Sequence, residues 1–98
     1  MAYLKVTKAG NAQNIALGNE TLTIGRSATN ALPLDDNLAS RAHAVIEKTI
    51  EGYLLRDLDS SNGTFHNGDR IEDVTLKEGD EIQIGAVRMV YHDGNAPK

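Results

Sequence analysis

Three short segments carry the side chains whose types suit recognition chemistry. Gly25-Arg26 follows the apolar-alternating run Thr21-Leu22-Thr23-Ile24 and sets a guanidinium at the edge of a loop. Ser40-Arg41 adds a hydroxyl and a second guanidinium. Ser60-Ser61-Asn62-Gly63-Thr64 adds hydroxyls, an amide and a glycine turn. Arginine donates through a planar fork that matches the oxygens of a tetrahedral oxyanion. Serine is a neutral donor, and asparagine both donates to and accepts from a peptide backbone. Each segment alone is commonplace: an arginine at a strand end is usually a solvated charge, and Ser-Ser-Asn-Gly is usually only a turn.

The elements that must hold these loops are strands. Ala2–Thr7, Thr21–Ile24, Ala44–Glu47, Tyr53–Leu58, Glu81–Ile84 and Val87–Tyr91 alternate apolar and polar side chains, as strands with one buried face do. Turn signals separate them at Gly18-Asn19, Glu51-Gly52, Asn62-Gly63, Asn67-Gly68, Gly79-Asp80 and Gly85. Short strands at this spacing point to an all-β sandwich or barrel. The segment closest to a helical pattern, Asn37–Ala44, is long enough for a single turn at most. The stretches without strand character are Ser27–Asn30, Asp35–Ala42 and Asp59–Gly63. They hold most of the chemistry-bearing side chains, as loops on a rigid frame commonly do.

Composition narrows the function classes. With 98 residues the chain is one domain with a modest core. It has no cysteine, so neither a disulfide framework nor a thiolate zinc site can form. Its net charge of −4 argues against non-specific nucleic-acid binding, which needs a basic face. No run approaches the ~20 apolar residues of a membrane span, and the opening residues lack a signal-peptide pattern. A cytoplasmic setting without membrane insertion is therefore expected, as a free domain or within a longer protein. His43, His66 and His92 are scattered, so no metal site is expected, and no nucleotide or cofactor motif is present. Ser40, His43 and Asp57 are the residue types of a hydrolase triad, but no G-x-S-x-G elbow surrounds Ser40, and no enzyme is expected.

Order and spacing add what single segments lack. The chain resembles the forkhead-associated (FHA) domain, a phosphothreonine-binding module. The resemblance rests on Ile24-Gly25-Arg26, on Ser40-Arg41-Ala42-His43-Ala44 and on Asp57-Leu58-Asp59-Ser60-Ser61-Asn62-Gly63-Thr64-Phe65. It continues through Asn67-Gly68-Asp69-Arg70-Ile71 and Leu76–Gly85. It implies a sandwich of two twisted antiparallel sheets, about eleven strands, with the binding loops at one end. The domain would occupy residues 1–92, with 93–98 a flexible tail or the start of a linker. The resemblance also implies site roles. Arg26 and Ser40 would contact the phosphate. Arg41 would add charge or hold the ligand backbone. Ser61 would help hold the phosphothreonine, and Asn62 would grip the peptide main chain. Gly25 and Gly63 would shape the loops, while His43 and Thr64 would brace them. The implied partner is a phosphothreonine-containing protein or peptide, the product of a Ser/Thr kinase. The alternative is a phosphate-independent interaction or oligomerisation scaffold on the same fold. The sequence departs from the family pattern at Ala31-Leu32, where an acidic residue commonly precedes the apolar one, and at Ala39, where a larger aliphatic is common.

Overall fold

The computed structural model describes residues 2–94. The segment 95–98, most of the expected tail, lies outside the described residues. Eleven strands run in order: β1 (Tyr3–Lys8), β2 (Asn11–Ala16), β3 (Leu22–Gly25), β4 (Leu32–Pro33), β5 (Ala44–Thr49), β6 (Gly52–Asp57), β7 (Thr64–His66), β8 (Asp69–Ile71), β9 (Asp73–Thr75), β10 (Glu81–Ile84) and β11 (Val87–His92). They form two sheets, β2-β1-β11-β10-β7-β8 and β4-β3-β5-β6-β9. The ladders are antiparallel except for the two-residue parallel pairing of β3 with β4.

Period-2 alternation puts one face of each sheet into a shared core. Leu4 and Val6 of β1, Ile82 and Ile84 of β10, and Val87, Met89 and Tyr91 of β11 line the six-stranded side. Ile24, Leu32, Ala44, Ile46, Tyr53 and Leu55 line the five-stranded side. Leu34 and Ala39, from the long β4–β5 loop, also enter the core and anchor that loop. A small residue at Ala39 is thus a packed core position here, 3% exposed.

All six expected strands are present, with no end moved by more than two residues. Asn37–Ala42 forms turns and bends rather than helix. Asn67-Gly68 makes the expected tight hairpin, both residues with positive φ (50° and 91°). Strand β2 escaped the pattern because it is an edge strand with little burial, and its Asn-Ala-Gln-Asn sequence does not alternate. The turn before it, Ala9-Gly10, puts an alanine at φ 50°. Alanine seldom adopts that conformation, so Gly10 alone of the two turn residues marks the turn in the sequence.

Candidate functional site

The β3–β4, β4–β5 and β6–β7 loops meet at one end of the sandwich. Beyond β3, the backbone keeps pairing with the segment before β5. The Arg26 amide donates to Ser40 O (2.9 Å), the Ser27 amide to Arg41 O (3.3 Å), and the His43 amide to Ile24 O (2.9 Å). Arg26 is therefore held beside Ser40 and Arg41. This close approach requires Gly25, because a Cβ there would lie 2.2 Å from Arg41 O. The Asn30 amide tightens the arrangement by donating to both Arg41 O (2.7 Å) and Ser27 O (2.8 Å).

His43 is fully buried and joins two loops. Its Nδ1 accepts from the Ser40 amide (3.0 Å), so the ring proton lies on Nε2, which donates to Gly63 O (2.9 Å). Both ring nitrogens are thus committed to backbone. Ser40, His43 and Asp57 do not form a proton relay.

Asp57, at the end of β6, organises the β6–β7 loop. Its carboxylate accepts from the Ser60 hydroxyl (2.5 Å), the Ser60 amide (3.0 Å) and the Thr64 hydroxyl (2.7 Å). Burial alone would push this carboxyl up, but those hydroxyls and the amide hold it below the usual carboxylate range. The buried Ser60 Oγ in turn accepts the Gly63 amide (3.0 Å). Gly63 has φ 91°, and a Cβ there would press on the Arg70 side chain at 2.8 Å. Arg70 covers this glycine and reaches Ser60 O (3.4 Å).

Two further contacts bring the loops together. The Ser61 amide donates to Ser40 Oγ (3.2 Å), and the Asn62 side-chain amide donates to Leu38 O (2.9 Å). Behind them, Asp36 receives the Leu38 amide (2.9 Å) and the Ala86 amide (3.1 Å), tying the Ser40 loop to the β10–β11 turn. Those backbone donors hold its carboxyl below the usual range.

All five expected contact residues fall in this cluster. Ser40 is half-buried, while Arg26, Arg41, Ser61 and Asn62 are exposed. Arg26, Ser27 and Arg41 line one open concavity. Among the described residues neither Arg26 nor Arg41 is ion-paired. Sequence reasoning missed Asn30, Asp36, Asp57 and Ser60 as organisers. Asn, Asp and Ser are ordinary loop formers, and two of their bonds span 11 and 50 residues. The other two histidines each meet one acid, His66 with Asp80 and His92 with Glu78 (2.7 Å each). Among the described residues no cluster of three or more metal-ligating side chains occurs. Among the described residues no helix is long and apolar enough to cross a membrane.

The family model described as FHA domain matches residues 22–85, about two thirds of the chain. The chain belongs to the FHA domain family. Those FHA residues begin at β3 and end at the β10–β11 turn, so they include every loop of the cluster. The oxoglutarate dehydrogenase inhibitor of Corynebacterium jeikeium is 37% identical over 95 residues, covering 96% of this chain and 66% of that protein. The glycogen accumulation regulator GarA of Mycolicibacterium smegmatis is 36% identical over 96 residues, covering 95% of this chain and 60% of GarA. Mycobacterium tuberculosis EmbR, solved in complex with a low-affinity phosphopeptide, superposes with a TM-score of 0.85 at 34% identity. That likeness covers 99% of this FHA domain and 25% of EmbR. The chain thus spans less than two thirds of the length of these curated relatives.

Proposed function

We propose that this FHA domain reads phosphothreonine in proteins marked by Ser/Thr kinases and so recruits them. The observation that carries the reading is the pair of unpaired guanidiniums, Arg26 and Arg41, on one open concavity beside Ser40. Ser40 Oγ already accepts the Ser61 amide, so its own proton is free to donate outward.

In this reading Arg26 and the Ser40 hydroxyl bind phosphate oxygens. Arg41 adds charge or holds the ligand backbone. Ser61 supports the phosphothreonine. The Asn62 side chain, with one N–H on Leu38 O, binds the main chain of the peptide. Gly25, His43, Gly63 and Thr64 hold the loops in place. Phosphothreonine carries about −1.5 to −2 charges at pH 7. The net charge of −4 repels it weakly at long range, so recognition is local. Charge-assisted hydrogen bonds contribute about 1.5–3 kcal/mol each. Three or four of them supply several kcal/mol toward the roughly −8 kcal/mol of a micromolar complex.

The likeness to EmbR, solved with a phosphopeptide, supports this reading. One relative is named an inhibitor and another a regulator. We read this chain likewise as a module that acts by binding, not catalysis, in the cytoplasm, with residues 1–92 forming the domain. The test is calorimetric titration with a phosphothreonine peptide pool, its unphosphorylated counterpart and an Arg26→Ala control. Binding that needs both phosphate and Arg26 is expected. Binding indifferent to phosphate would overturn the reading in favour of a scaffold.

A further inference from the structure

The two sheets have four edges, and three of them are blunted in the ways that keep edge strands from pairing with other chains. Strand β4 has two residues, one of them Pro33. Strand β8 has three and carries Asp69 and Arg70, and β9 has three and carries Asp73. Strand β2 differs from all three. It has six residues, Asn11–Ala16, with no charge and no proline, and all but Ile15 are exposed. Among the described residues it pairs with β1 alone.

The direction of its free backbone groups follows from the ladder. Leu17 N donates to Ala2 O (2.8 Å), continuing the register that pairs Tyr3 with Ala16 and Lys8 with Asn11. Hydrogen-bonded pairs alternate along an antiparallel ladder. Ile15, Gln13 and Asn11 therefore bond toward β1, while the N–H and C=O groups of Ala12, Asn14 and Ala16 point outward.

We infer that the β2 edge is a self-association surface whose occupant is the β2 strand of a second copy. A two-fold axis perpendicular to the sheet pairs antiparallel strands with like faces together, so opposed residues must both be even- or both odd-numbered. The register with Asn14 opposite its own copy sets Ala12 opposite Ala16. That register matches all three outward-pointing residues with outward-pointing residues, for about six main-chain hydrogen bonds. It opposes small side chains and one amide pair. The absence of charge selects this occupant, because a charged residue on a two-fold would meet its own like charge. The result is one continuous sheet across two domains, independent of the phosphate-binding reading. Such an edge buries less than the ~1,200 Å² of stable complexes. Association is therefore expected only at high concentration, roughly 0.1 mM and above.

The chain has no cysteine, which permits a direct test of register on the full chain. Cα atoms of a hydrogen-bonded antiparallel pair are about 5.5 Å apart, within reach of a short bifunctional thiol reagent. With such a reagent Asn14→Cys should form a covalent dimer at least ten-fold faster than Ala12→Cys, whose copies would be separated by about 13 Å along the strands. Sedimentation velocity should show the wild type approaching dimer mass at high concentration. Asn14→Lys should stay monomeric with an unchanged melting curve. Equal cross-linking of the two cysteine variants, a monomeric wild type at ~1 mM, or association that Asn14→Lys leaves intact would each overturn the inference.

Discussion

The hydroxyl of Ser40 accepts the Ser61 amide at 3.2 Å, joining two loops that lie 21 residues apart in the chain. This bond occupies a lone pair of Oγ and leaves its proton unspent. It also fixes the spacing between the β4–β5 and β6–β7 loops, one bearing Ser40 and Arg41, the other Ser61 and Asn62. Removing the hydroxyl loses the bridge and, in the proposed reading, a phosphate donor. Ser40→Ala is expected to weaken phosphopeptide binding by about 1–3 kcal/mol, read by calorimetry. An unchanged affinity would remove Ser40 from the site.

Arg26 is exposed and holds no part of the core. Its backbone, not its side chain, pairs with Ser40. Arg26→Ala should therefore abolish measurable phosphopeptide binding while shifting stability by no more than about 0.5 kcal/mol. Thermal melting alongside titration checks both halves. A variant that unfolds would show that the guanidinium has a structural duty.

His43 should behave in the opposite way. Its ring is fully buried and satisfies the Ser40 amide and the Gly63 carbonyl together. His43→Ala leaves a cavity and two buried polar groups without partners. The expected cost is about 2–4 kcal/mol of unfolding free energy, measured by urea denaturation. Binding should weaken as well, through misplaced loops. A variant as stable as the wild type would contradict the bracing role.

Gly25 stands where two backbones nearly touch. Gly25→Ala would drive a methyl group against Arg41 O and separate the segments that carry Arg26 and Arg41. Both melting temperature and phosphopeptide affinity should fall. Gly94→Ala, with nothing within 4 Å of the added carbon, is the neutral comparison.

Asp57 links the site to pH. Burial acts to raise its carboxyl, yet the Ser60 and Thr64 donors outweigh burial and the net direction is down. Its folded value lies below the unfolded value of about 3.9. In acid the unfolded chain then binds more protons than the folded one, so stability rises with pH through this window. The contribution is complete above about pH 5 and is lost as pH falls through 3.9 toward the folded value. Asp36 and Asp80 are lowered in the same sense. Urea melts at pH 7, 5 and 3 should show this loss, and Asp57→Asn should be less stable than the wild type at pH 7 and lose less below pH 5. Parallel curves for the two proteins would refute the assignment.

Alternation along β1, β3, β5, β6, β10 and β11 made six strands and the buried face of each legible from sequence, because burying one side of a sheet imposes a period of two. The β7–β8 turn was legible as well, because Asn-Gly tolerates the positive φ that a tight hairpin needs. The resemblance supplied the strand number and the cluster Arg26, Ser40, Arg41, Ser61 and Asn62, through motifs whose spacing is local. Three features required the tertiary structure. Strand β2 packs on one neighbour with little burial, so it leaves no hydrophobic period. The bracing by Asn30, Asp36, Asp57 and Ser60 consists largely of bonds to backbone groups, which every residue possesses and no sequence pattern marks. The tautomer of His43, and with it the joining of Ser40 to Gly63, depends on which groups converge on a buried ring, and the fold alone decides that convergence.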